Sequence, residues 1–113
     1  MRFDIKKTPR VFYPDKEKEV SIKDMGNIEL EPDEQLTFVN RTGKRYDFAA
    51  KNWGYYATPS VNGRLLDEGF KTALVRNEAG RYYVMVVDNQ KLNKFEEYLR
   101  SSNQEVIEWF DEK

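Results

Sequence analysis

The chain contains no cysteine and no histidine. Without cysteine there is no disulfide, no thiolate metal ligand and no thiol nucleophile. Without histidine the commonest general base and the commonest transition-metal ligand are both missing. Every Ser-His or Cys-His catalytic arrangement is excluded with them. Any chemistry must therefore run on Asp, Glu, Lys, Tyr or Ser. Long apolar runs are also missing: the longest, residues 84–87, falls far short of the ~20 residues a membrane span needs. Neither sign of charge is in excess, with 19 basic residues against 20 acidic and a formal net charge of −1. A general nucleic-acid or anionic-membrane binder needs a basic surplus, so both partner classes are argued against.

What is present is charge and aromatic surface. Charged residues make up 35% of the 113 and aromatics 14%, a combination that speaks against disorder. The length predicts a single domain over 1–113, with 1–19 as a terminal arm. The N-terminus, Met1-Arg2-Phe3-Asp4-Ile5-Lys6, is charged and has no apolar signal core, so a cytoplasmic protein is expected.

The arm carries Arg2, Lys6, Lys7, Arg10, Lys16 and Lys18 against Asp4, Asp15, Glu17 and Glu19, a mild basic bias. It reads as a strap over the sheet or as a docking arm for an acidic partner. Val11-Phe12-Tyr13 before Pro14-Asp15 reads as a short edge strand stopped by a turn. Alternating apolar residues then predict strands at 20–24, 28–31, 36–39 and 45–50. Turns are expected at Met25-Gly26-Asn27, Pro32-Asp33 and residues 40–44. Glu29, Glu31, Asp33 and Glu34 form an acidic rim without the order of a calcium loop. Residues 70–76 and 81–88, joined by Asn77-Glu78-Ala79-Gly80, form the clearest hairpin. The second run is apolar on both faces, which predicts a central strand. Leu92, Phe95 and Leu99 predict a helix over 91–101, capped by Asp88 or Asn89. Residues 105–110 fit either helix or strand, with a strand favoured; a crossover would then add it in parallel. The fold class predicted is α+β: a mostly antiparallel sheet of six to seven short strands, as a meander or small sandwich, with a C-terminal helix on one face.

Motifs for phosphate are missing. Asn62-Gly63 is a tight-turn signal, and no Walker loop or dinucleotide fingerprint occurs. Asp47, Asp67, Glu68 and Asp88 are carboxylates near apolar context, but nothing in the sequence pairs any two of them for acid–base work.

The stretch with the densest chemistry is residues 51–65. Trp53, Tyr55 and Tyr56 lie between Lys51 and Arg64, and Arg41, Lys44, Arg45, Lys51 and Arg64 face Asp47 alone. Stacking of single-stranded nucleic acid is one use of such a segment. Carbohydrate is another: a ring packs on the apolar face of a sugar while forks reach its hydroxyls or carboxylate. The candidate ligand residues are Lys51, Trp53, Tyr55, Ser60, Asn62 and Arg64, with Arg64 as the anion fork. Strand alternation would bury some of the rings and leave the loop after Thr58 facing solvent. No catalytic residue, metal ligand or cofactor is nominated.

Trp53-Gly54-Tyr55-Tyr56-Ala57-Thr58-Pro59-Ser60, Asn62-Gly63-Arg64-Leu65 and Gly69-Phe70-Lys71-Thr72-Ala73-Leu74-Val75 resemble small uncharacterised bacterial proteins encoded near surface-sugar (sialic-acid-like) biosynthesis genes. That resemblance implies an accessory role and no catalytic motif. Leu30-Glu31-Pro32-Asp33-Glu34 is similar to strands of cupin barrels, whose metal-binding histidines this chain lacks. The expected function is a non-enzymatic binding or accessory protein for a sugar or acidic small molecule. The rivals are a protein–protein adaptor docking an enzyme, through these aromatics or an exposed sheet edge, and a histidine-free isomerase-like enzyme using Asp47 or a tyrosine.

Overall fold

The computed structural model describes residues 1–14, 17–18 and 20–113. The described residues form eight strands in three small sheets and two α-helices, an α+β arrangement built mostly of antiparallel pairs. Contacts group the described residues into two compact units, Met1–Gln35 with Ala49–Tyr56, and Leu36–Phe48 with Ala57–Lys113.

In the first unit β1 (Arg2–Phe12) pairs antiparallel with β2 (Ile22–Glu29), with Phe3 opposite Ile28. The strand expected to begin at Val11 thus starts nine residues earlier. Pro9 does not prevent this, because the register shifts between Ile5 and Arg10. Residues 6–9 lie against Met25 alone there, and a proline in a bulge has no ladder bond to lose. Of the Pro14-Asp15 turn, Asp15 lies outside the described residues, as do Lys16 and Glu19 of the basic arm. Met25-Gly26-Asn27 is not a turn: it continues β2. Gly26 sits at φ +137, and a Cβ there would run into the Asp4 carbonyl, so the glycine serves close strand approach. Lys6 Nζ binds Asp24 Oδ2 at 2.7 Å across the pair.

The acidic rim is less free than its composition implies. Glu34 pairs with the Met1 amino group at 3.1 Å and accepts the Glu31 amide at 2.8 Å. Asp33 takes a left-handed φ of +70 in the Pro32-Asp33 turn.

β3 (Gln35–Val39), β4 (Arg45–Lys51) and β5 (Gly54–Ala57) form the second sheet in that order. The turn after β3 is built by Asn40, whose Oδ1 accepts the amides of Thr42 and Lys44 while Gly43 supplies φ +85.

The second unit is centred on β6 (Phe70–Arg76), whose Ala73 and Val75 are fully buried. β7 (Tyr82–Asp88) and β8 (Glu105–Trp109) flank it, both antiparallel to it. One expectation is corrected here. β7 is an edge strand, not a central one, and Tyr82, Tyr83 and Val84 are exposed. β8 is the strand favoured from the sequence; β7 and β8 both run antiparallel to β6, so β8 lies parallel to β7 with β6 between them. The register slips between Leu74 and Val75 of β6, bulging Ile107 out to solvent.

α2 (Leu92–Ser101) covers one face of this sheet as its Leu92, Phe95, Leu99 spacing dictates. Leu99 joins Ala73 and Val75 in a core that Met85, Phe95, Val106 and Trp109 complete. Burying a leucine such as Leu99 contributes about 1.5–3 kcal/mol. Neither Asp88 nor Asn89 caps the helix: Lys91 holds the N-cap position with no side-chain bond. Asp88 instead accepts the Gln90 amide at 2.9 Å and pairs with the Lys44 ammonium. Lys71 lies 4.5 Å over the Trp109 ring and 3.6 Å from Asp111, which follows in a 3₁₀ turn at Phe110–Glu112.

Candidate functional site

The stretch from 51 to 65 begins with a hairpin turn. Asn52 and Trp53 form it, and Gly54 opens β5 at φ +142, a conformation side chains rarely adopt. Because Trp53 stands in the turn and not in a strand, its ring does not follow strand alternation. It stacks on Tyr56 with centroids 6.0 Å apart and planes 29° from parallel. Tyr55 joins no ring pair among the described residues. None of the three rings is buried: Trp53 is 67% exposed, Tyr55 66% and Tyr56 45%. The expectation that some of them are core anchors is therefore corrected. Lys51 Nζ, at the end of β4, is bound by Asp33 Oδ1 at 2.5 Å, and this bond holds the lysine pKa above its ordinary value.

The later residues form a different piece of structure, in the second unit. Expected as a loop, the segment ends in a short helix, α1 (Arg64–Asp67). Ser60 begins it: its carbonyl accepts the amides of Gly63 and Leu65, and its Oγ accepts the Arg64 amide at 3.2 Å. A Cβ on Gly63 would strike that Oγ, which explains the glycine. Leu65, completely buried, anchors the helix. Asn62 faces outward and donates a long 3.5 Å bond to the Lys113 carbonyl.

Arg64 turns back onto the sheet. Its Nη1 donates to Asp47 Oδ2 at 3.0 Å and its Nη2 to Thr58 Oγ1 at 3.5 Å. Thr37 Oγ1 donates to the other Asp47 oxygen at 2.6 Å, so both oxygens of that carboxylate are occupied. The Thr37 hydroxyl first, and then Arg64, hold the Asp47 pKa below its ordinary 3.8. A general base is most effective when its pKa lies near the working pH. Asp47 is held in the opposite sense.

Of the six residues nominated from sequence, then, Lys51, Trp53 and Tyr55 fall in the first unit and Ser60, Asn62 and Arg64 in the second. Sequence reasoning missed Asp33 and Asp47 as the partners of the two cations. Asp47 was the single acid in that basic stretch, and this was the available signal. Among the described residues no group of three or more carboxylates is arranged to hold a metal, and no helix is long and apolar enough to cross a membrane. Comparison with protein-family models, curated proteins and solved structures finds no match.

The carboxylates predict a pH profile. Asp24, held down mainly by Lys6, and Asp88, held down mainly by Lys44, shift in the same direction as Asp47. A depressed folded-state pKa contributes stability that is present above the ordinary value and lost as pH falls through the folded one. With no histidine in the chain, thermal stability should be nearly flat from about pH 5 to about pH 8 and fall below about pH 3.8. Asp47→Asn should flatten part of that acid slope. A slope identical to that of the wild type removes Asp47 from the account.

Proposed function

We propose that this chain is a non-enzymatic accessory protein that docks a protein partner through the aromatic turn between β4 and β5. The observation that carries the reading is the exposure of Trp53, Tyr55 and Tyr56 together on one hairpin. Tyrosine and tryptophan dominate the energetic centres of protein interfaces, where a rigid ring offers large area at little entropic cost. Exposed apolar residues are ordinary singly, whereas a cluster marks an interaction surface.

The small-acid reading is less well supported, because both cations nominated to hold an anion are engaged. Lys51 binds Asp33 and Arg64 binds Asp47, so an incoming carboxylate competes with one already in place. An isomerase role for Asp47 meets the same difficulty. By its resemblance to proteins encoded beside surface-sugar genes, the partner is an enzyme of that chemistry, and the chain is its helper.

The test is a tagged chain expressed in its native host, with the Tyr55→Ala and Trp53→Ala variants beside it. Tyr55→Ala should cost less than about 0.5 kcal/mol of stability. Trp53→Ala should cost about 1 kcal/mol through the lost stack on Tyr56. Both should release an enzyme that the wild type retains. Retention by both variants excludes the turn as the docking surface. Amide shifts confined to residues 51–65 on adding acidic sugars or nucleotide sugars would restore the small-ligand reading.

A further inference from the structure

β7 presents an open backbone edge. Asn77 N–H donates to the Arg81 carbonyl at 3.0 Å, and Asn89 N–H to the Gly69 carbonyl at 2.9 Å, at the two ends of the β6–β7 pair. In an antiparallel ladder, hydrogen-bonded pairs recur at every second residue. The register runs without a break from Phe70 opposite Asp88 to Arg76 opposite Tyr82. Tyr83, Met85 and Val87 therefore bond to β6, and the amides and carbonyls of Tyr82, Val84 and Val86 point away from it. β7 lies at the end of the strand order β7-β6-β8, so among the described residues these groups have no ladder partner. The run from Tyr82 to Val87 contains no charge, proline or glycine to discourage pairing.

Beside this edge runs a groove of about 530 Å³ between β7 and α2. Met85, Val87 and Phe95 supply its apolar floor, and Tyr98, Lys91 and Lys94 line it as well. The only acid lining it, Asp88, is taken by the Lys44 ammonium. Neither Lys91 nor Lys94 makes an ion pair among the described residues, and although Lys91 helps to lower the Asp88 pKa, two lysines against one acid leave the groove lining net positive.

We propose that β7 and this groove accept an extended acidic–apolar segment of a partner protein as an added strand. The segment's backbone bonds to Tyr82, Val84 and Val86. On the face turned toward α2, where every second side chain points, apolar groups enter the groove and carboxylates meet Lys91 and Lys94. Charge complementarity decides the occupant. A second copy pairing β7 with β7 would lay its own α2, with the same two lysines, along the same face, setting like charges together. The site shares no residue with the aromatic turn and stands or falls independently of it.

The probe is the blocked hexapeptide Val-Thr-Glu-Thr-Val-Thr, whose valines and glutamate share one face of the strand, compared with the same peptide carrying lysine in place of glutamate. The glutamate peptide should shift the amides of Tyr82, Val84 and Val86 and the ring signals of Phe95 and Tyr98. It should bind at least about tenfold more tightly than the lysine peptide. Lys94→Glu should weaken the glutamate peptide about tenfold or more. Val84→Pro removes an N–H that β6 does not use, so it should abolish binding with the fold intact. Should that variant unfold, Lys94→Glu still decides. Equal binding of both peptides, or no shift with either, overturns the proposal. Loss of the same shifts on simple dilution, with no peptide present, shows that a second copy occupies the edge.

Discussion

Leu65→Ala should lower the unfolding free energy by about 2–5 kcal/mol, the largest loss expected from any single truncation in the second unit. Leu65 is completely buried, and it is the only buried residue of the four in α1. A helix of four residues has almost no stability of its own, since nucleation costs more than one turn returns. What holds it is the leucine below and the Ser60 carbonyl and hydroxyl at its start. Removing the side chain leaves a cavity and releases the turn that carries Arg64. The denaturant midpoint should fall with little change in slope, and the Arg64 amide should lose its protection from exchange. A loss below about 1 kcal/mol would mean that the segment collapses into the cavity and that α1 is held by other contacts.

Gly26→Ala should be nearly as damaging in the first unit. Two costs combine there. The backbone at φ +137 is one that an L side chain rarely adopts, and strain of that kind costs about 1–3 kcal/mol. The new methyl would also overlap the Asp4 carbonyl on the facing strand, which must move. A two-stranded hairpin is only marginally stable by itself, so a local shift of this size should separate the strands and not merely bend them. The Phe3–Ile28 and Ile5–Gly26 neighbours should lose their cross-strand magnetisation transfer, and protease should cleave within residues 1–12. A variant that keeps both signals would show that the hairpin absorbs a methyl by sliding at its existing register shift.

Much of the strand and helix pattern was legible because local chemistry and tertiary structure agree. The β6–β7 hairpin follows its turn residues, α2 its 3.6-residue spacing, and β8 its Val-Ile-Trp content. The failures have physical causes. Met25-Gly26-Asn27 is a turn signal by composition, but within β2 the glycine serves a close approach, which depends on the facing strand. The apolar run 84–87 of β7 looks central because sequence cannot report whether a neighbour exists on the far side. α1 was read as loop because a one-turn helix has no periodicity to detect. At the candidate site the residue types were visible, but their engagement was not. Whether Lys51 and Arg64 are open to an anion turns on Asp33 and Asp47, far apart in sequence from each other and from their partners.

The way the chain divides between its two units bears on synthesis. Neither unit is a continuous stretch: residues 36–48 belong with residues 57–113, yet the intervening 49–56 complete the earlier unit. As the chain leaves the ribosome, the first unit has all its parts once Tyr56 has emerged. β3 and β4 then have each other and β5, but the contacts of residues 36–48 with the rest of the second unit, Lys44 with Asp88 and Tyr46 with Phe70, must wait for residues 57–113. During that interval Tyr46 and its edge-on neighbour Phe48 are left for a chaperone to shield or for another nascent chain to trap. Slower translation through residues 57–88 would lengthen that exposure, and faster translation would shorten it.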